Sequence, residues 1–413
     1  MTHGLPGSGT VRRVSEGVRT TGAVPLRVVA GLFIASVALR PQLLAVGPLL
    51  PLIRSDLGLS ASLAGLLTTI PVLCMGIFAP VGPRVAARLG PRTAFAICLG
   101  LIVAFGLLRT VVPQYPLVLL ATLGIGVAIG IGGAIPSMVV SERVASRPAL
   151  GTGAYAGGIV AGSTLGAGLA VPLAVNGNWR LSLLVISLAS LASIGAWLFL
   201  IGEERDGQVP RPRATRLPWR SATGWLLVLV FGLQSILFYG AVAWLPNVFV
   251  ERGWSTIEAG SLVAIFNAVG LATTLGIPLV ADRIGERRPQ LVFASVVAAL
   301  AIVGIIALPD FAYGWVVLLG LALGMVYPLV LTLPLDVTDD PGRVGSVAAL
   351  MLLGGYILSS TGPIALGAAR DATGNFGASL WLLVAVSVTL IACCLFLSPT
   401  RLRRGIRRPV PSS

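Results

Sequence analysis

The chain has 413 residues, 56% of them hydrophobic and only 11% charged, with a mean hydropathy of +0.94 and a net charge of +14. A soluble globular domain carries about a quarter charged residues, so these values exclude a soluble enzyme, a disordered protein and a nucleic-acid-binding domain. They point to an all-α, polytopic membrane protein.

Residues 1–25 form a polar tail holding the sole histidine, His3. Twelve apolar runs follow, at 26–50, 61–82, 93–112, 117–140, 149–174, 181–201, 223–249, 257–280, 289–308, 313–335, 344–368 and 378–398. Each is close to the ~20 residues that a membrane-spanning helix needs. All are continuously apolar, which excludes the alternating strands of a membrane barrel. The first run is too long for a signal peptide, contains Arg40 and lacks a small-residue exit, so it is expected to stay attached. The longest polar break, 202–222, carries Pro210, Pro212 and Pro218. It divides the chain into two sets of six, 26–201 and 223–398, before a basic tail at 399–413.

Every one of the 29 basic residues is arginine. Without lysine there is no Walker A loop and no Schiff-base lysine. With His3 confined to the tail, histidine triads, zinc sites and proton relays fall away. No catalytic residue, metal or cofactor is expected. Cys74, Cys98, Cys393 and Cys394 sit in apolar runs without C-x-x-C spacing and read as small buried hydrophobes.

Arginine also sets the orientation. With the N-terminus in the cytoplasm, 23 arginines fall on cytoplasmic segments and five (Arg54, Arg109, Arg180, Arg252, Arg370) on the outer side, with Arg40 in the membrane. Both termini are then cytoplasmic. Arg109, near the outer end of its run, is expected to snorkel. Membrane lipids are the expected surroundings, and no nucleic acid is expected as a partner. The all-arginine usage fits a GC-rich bacterial genome and hence a bacterial inner membrane.

The two sets of six repeat at an offset of 195. Pro51 matches Pro246, Gly58 matches Gly253, Ser60 matches Ser255, and Ala64-Gly65 matches Ala259-Gly260. Pro83, Arg88 and Gly90 match Pro278, Arg283 and Gly285, while Gly126 and Gly130 match Gly320 and Gly324 at 194. Parallel repeats of this kind place a solute site between the halves near the midplane. The glycines of the fourth and fifth runs read as close-packing faces.

Arg40 lies about fifteen residues into the first run, near mid-bilayer. A charge there costs at least about 2.5–3.5 kcal/mol, and no Asp or Glu lies at comparable depth in any run. A guanidinium facing a cavity is a fixed counter-charge for a small anion. A structural role, bonding carbonyls freed by Pro41 and Pro48, is the competing reading. Other polar groups at depth are Thr68, Thr69, Gln234, Tyr239, Asn267, Tyr327 and Tyr356. Trp244 stands near the outer end of the seventh run, where anchoring and gating both remain open.

The motifs resemble the major facilitator superfamily. The second copy of its loop signature reads Asp282-Arg283-Ile284-Gly285-Glu286-Arg287-Arg288, whereas in the first copy Ala87 occupies the place of the Asp beside Arg88, Gly90 and Arg92. More narrowly, A-L-R-P-Q-L-L-A-V-G-P-L-L (Ala38 to Leu50) is similar to the cyanate/nitroimidazole transporter family, with Leu39 for the usual Asn. The stretches from Ala64 to Leu73, Gly232 to Pro246 and Gly354 to Pro363 continue the likeness, while Gly132 and Leu353 replace an expected Asn and Gln. The resemblance implies a monomeric twelve-helix transporter whose spans 1, 4, 7 and 10 line a cavity flanked by 2, 5, 8 and 11. It implies solute binding by Arg40, Gln234, Tyr239, Asn267, Tyr327 and Tyr356, and a cytoplasmic gate with Asp282, Arg283 and Arg88. The expected activity is secondary transport by alternating access of a small anionic or polar solute, such as a cyanate-like anion or a nitroimidazole-like compound. A multidrug exporter of the same fold is the alternative. An intramembrane enzyme lacks its dyad or metal, and a receptor lacks a soluble region.

Overall fold

Proline and glycine decide where the apolar runs bend and where they touch. The computed structural model describes residues 26–144, 147–202, 217–284, 287–337 and 340–397; the side chains of 148, 149, 175, 278–284, 341 and 342 lie outside that description. The basic tail, the middle of the 202–222 break and the side chains of Asp282 and Arg283 therefore lie outside the described residues.

The helical rods are α1 Leu26–Leu57, α2 Ala61–Leu89, α3 Pro91–Val111, α4 Tyr115–Arg143, α5 Pro148–Ala170, α6 Trp179–Leu200, α7 Ala222–Glu251, α8 Thr256–Ile284, α9 Arg287–Ala307, α10 Ala312–Val337, α11 Pro341–Thr373 and α12 Gly377–Leu395. Among the described residues eleven of them are long and apolar enough to cross a membrane. The other, α5, has 23 residues, but seven glycines dilute its apolar character. No strand occurs among the described residues.

In α1 the ladder stops at Val37, because Pro41 has no N–H and its ring clashes with the carbonyl four residues earlier. Ala38 and Leu39 tighten into three-residue turns onto Ala35 and Ser36, and a new helix starts at Pro41 with Arg40 as its N-cap. Helix α5 closes on this break through small residues. A Cβ on Gly162 would lie 2.0 Å from the Val37 carbonyl oxygen, and one on Gly166 would lie 2.5 Å from the Pro41 Cα.

The sequence repeat is a repeat of packing. Gly58 and Gly253 both turn the chain in the left-handed region, at φ 61° and 90°. Ser60 and Ser255 then cap α2 and α8 by accepting from the N–H three residues on. Gly65 of α2 seats on the Pro363 backbone of α11, and its counterpart Gly260 of α8 seats on Val171 just after α5. The first six helices thus meet the last six along two related seams.

The apolar seam of that contact continues along α2 to Gly76, which faces the Leu353 carbonyl of α11, while its polar part lies at the end away from the α2–α3 and α4–α5 turns. There Arg54 donates to Asn247 Oδ1 at 3.0 Å, and Asp371 of α11 accepts from the Ala61 and Ser62 N–H groups at the start of α2, at 2.9 and 2.7 Å. At the same end Arg370 pairs with Glu251 at 2.8 Å within the last six helices, and Arg180 with Asp56 within the first six. Trp244 is buried and donates to the Pro363 carbonyl at 2.8 Å, so it ties α7 to α11 within the protein. The opposite, arginine-rich end holds an Arg287–Asp336 pair, and Arg88 stands exposed on α2.

Candidate functional site

A cavity of about 100 Å³ lies between α1, α5, α7, α8, α10 and α11. Its wall contains Arg40, Gln234, Tyr239, Asn267, Tyr327 and Tyr356 together. Arg40 projects from the break in α1, half-buried, and donates from Nη1 to the Tyr239 hydroxyl at 2.7 Å. Tyr327 and Tyr356 stand in the same wall. The Phe231 ring meets Tyr356 edge-on at 5.1 Å and Phe238 meets Tyr239 at 5.2 Å, which fixes the two phenols. Gln234 donates to Ser235 Oγ at 2.7 Å and Asn267 to its own helix at Val263 O, 2.9 Å. The site thus offers one fixed positive charge, neutral hydroxyls and amides, and apolar walls from Phe238, Phe266 and Leu323.

Part of the wall that sequence reading missed follows by helical periodicity from the residues it singled out. Gly270, Leu271 and Thr274 lie three, four and seven residues after Asn267; Gly320, Leu323 and Gly324 lie seven, four and three before Tyr327. Ile159, Val160 and Ser163 of α5 complete the opposite wall. Along α5 and α8 the helices touch at Val171 against Gly260 and at Gly168 against Ala264, then separate around the cavity.

Three expectations are corrected. Helix α4 supplies none of the described lining, because its glycines draw it onto α2: Gly126 faces Pro71 and Gly130 faces the Cys74 carbonyl. Thr68 and Thr69 are buried outside the cavity wall, with Thr68 bonded to Gly65 O of its own helix. Arg109 does not snorkel. It is 2% exposed and donates to Gln42, two residues beyond Arg40.

The family model described as Major Facilitator Superfamily matches residues 32–363. The chain belongs to the major facilitator superfamily. It is 33% identical over 343 residues to the cyanate transport protein CynX of Escherichia coli (strain K12), covering 82% of this chain and 88% of that one. It is 30% identical over 356 residues to the 2-nitroimidazole transporter of the same organism, covering 86% and 90%. Among solved structures, the D-xylose-proton symporter aligns with a TM-score of 0.73 at 16% identity, over 92% of this chain and 98% of that one. A bacterial homolog of the human lysosomal transporter Spinster aligns with 0.73 at 17% identity, over 95% and 100%. This superfamily member is a multi-pass membrane protein and a secondary transporter of small solutes, not an enzyme.

Proposed function

We propose that this transporter carries a small monovalent anion, with cyanate as the first candidate, by alternating access across a bacterial inner membrane. The observation that carries the reading is Arg40. It faces the cavity with only neutral phenol and amide groups beside it, and no Asp or Glu occurs at mid-span anywhere in the sequence. An anion would neutralise that charge in a setting less polar than bulk water. The cavity volume supports a small solute. At about 100 Å³ it is smaller than the ~150 Å³ cavity that holds benzene in an engineered protein. The names of the two relatives, a cyanate and a 2-nitroimidazole transporter, are in keeping with it. The aromatic rings of Phe238 and Phe266 support the nitroimidazole-like alternative, and a multidrug exporter requires a larger pocket.

In this reading residues 26–201 and 223–398 are two halves that rock about the cavity, joined by 202–222. Gln234, Tyr239, Asn267, Tyr327 and Tyr356 complete the solute site. The arginine-rich end and both termini are cytoplasmic, Arg88 with Asp282 and Arg283 forms the gate there, and a monomer in lipid is the working unit.

The test is the melting temperature of purified protein, wild type beside Arg40→Ala, with cyanate, nitrate, small carboxylates or 2-nitroimidazole. A ligand bound only by the folded state, at a hundred times its Kd, adds about 2.7 kcal/mol. Cyanate or nitrate is expected to stabilise wild type and not Arg40→Ala. Equal stabilisation of both proteins would make Arg40 structural, and a response only to 2-nitroimidazole would shift the solute class.

A further inference from the structure

A guanidinium taken out of water without an anion beside it is costly, because neutral acceptors replace its hydration only in part. Arg109 of α3 is in this position. Among the described residues no other charged side chain is as buried. Among the described residues no acidic side chain pairs with it, and its Nε has no hydrogen-bond partner. Its Nη2 donates twice to a single residue, to the main-chain oxygen of Gln42 at 3.0 Å and to Gln42 Oε1 at 2.6 Å. One arginine nitrogen therefore holds both the backbone and the rotamer of Gln42.

Gln42 is fully buried and is gripped from the other side as well. Its Nε2 donates to Ser187 Oγ at 2.7 Å and to Leu183 O at 3.3 Å, both on α6. Gly106, one turn before Arg109, leaves the volume that Gln42 fills: a Cβ there would lie 3.2 Å from the Gln42 amide and 2.6 Å from Ser187 Oγ. Gln42 stands just past the break in α1, two residues from Arg40. At the break Pro41 supplies no N–H, so the regular helical ladder does not determine the direction of the chain. Packing from α5 confines it on one face, at Val37 and Pro41. The Arg109–Gln42–Ser187 chain confines it on another.

We propose that Arg109 is a positioning residue for solute binding. Through Gln42 it fixes the broken segment of α1 and thereby sets where the Arg40 side chain stands in the cavity. The proposal rests on the reading of Arg40 as the anion ligand, and its test separates the two.

The first measurement needs no solute. In a chain whose four cysteines are replaced by alanine, Arg40→Cys is labelled with a small sulfonate-bearing methanethiosulfonate. Adding Arg109→Gln or Gln42→Leu is expected to change the labelling rate at position 40 by about fivefold or more. Ser187→Ala, the mildest of these variants, is expected to act in the same direction by less. The rate at a control position on the far wall, Asn267→Cys, is expected to stay within about twofold. Equal changes at both positions would mean general loosening and would overturn the proposal, as would no change at position 40.

The second measurement is cyanate titration on the native cysteine background. Arg109→Gln is expected to weaken binding by about fivefold or more, and Arg109→Lys, which keeps the charge without the fork, is expected to recover only part of it. Full recovery by Lys would assign the effect to charge and overturn the positioning role. If wild type binds neither cyanate nor nitrate while the labelling result holds, the anion reading fails and the placement of position 40 by Arg109 stands.

Discussion

Tyr239 accepts from Arg40 Nη1 at 2.7 Å, which makes it a residue where binding and stability are directly linked. Removing one partner of a buried charged hydrogen bond leaves a desolvated donor, at a cost of about 1–3 kcal/mol. An anion in the cavity supplies an acceptor in its place. Tyr239→Phe is therefore expected to lower the melting temperature of the empty protein, and saturating cyanate is expected to recover part of the loss. The ligand-induced shift should be larger in Tyr239→Phe than in wild type. A smaller or absent shift would mean that the hydroxyl, as a member of the solute site, does more to hold the solute than to hold Arg40 in the empty protein. At this scale the depth of a residue along its span was legible in sequence, and it picked out six side chains of the cavity wall together with Thr68 and Thr69, which lie outside it. The face of the helix was not. Arg109 shows the difference, since position near a helix end says nothing about whether a neighbouring helix covers that face. Gly106 beside it and Gln42 on another helix decide the matter.

The break in α1 is the element on which the site depends. Pro41 removes a backbone donor and prevents the carbonyl of Val37 from continuing the ladder. Pro41→Ala restores the donor. It is expected to leave the thermal stability of the empty protein equal or higher while reducing the response to cyanate, because a straightened α1 turns Arg40 away from Tyr239. An unchanged cyanate response would show that packing alone holds the break. The partner element is α5. A methyl at Gly162 has no room against the Val37 carbonyl, and overpacking of this kind costs about 1–3 kcal/mol. Gly162→Ala should lower the melting temperature, whereas Gly153→Ala on the same helix, where a Cβ meets nothing within 4 Å, should not. The glycine-rich composition of α5 was readable as a packing face. Its partner, the broken part of α1, was not, because small residues announce close approach without naming what approaches.

At the scale of the whole molecule the two sets of six helices are latched at one end. Asp371 from α11 receives the first N–H groups of α2, an N-cap supplied from the other half of the chain. Loss of a cap costs about 0.5–2 kcal/mol, toward the low end at a partly exposed site. Asp371→Asn is expected to shift the population toward forms open at this end by a few-fold. Spin labels placed across the α2–α11 seam near Ser62 and Asp371 would read this as a longer distance component, and an unchanged distance distribution would reject the latch. The gate residues expected from the loop signature, Arg88, Asp282 and Arg283, all belong to the opposite end. No motif marked Asp371, since a cap across 310 positions of chain exists only once α11 lies beside α2.

Apolar run length, arginine placement and the 195-residue repeat are local or periodic properties, and they suffice to specify helices that need a bilayer and a fold built twice. The sequence by itself also determined that a positive charge without an acid at its depth must face a cavity or a partner. Which phenol meets that charge, which buried arginine stands behind it, and at which end the halves close were decided only by tertiary structure. Each depends on side-chain direction around the helix axis and on contacts between residues more than sixty positions apart. Neither is encoded in any one run of the chain.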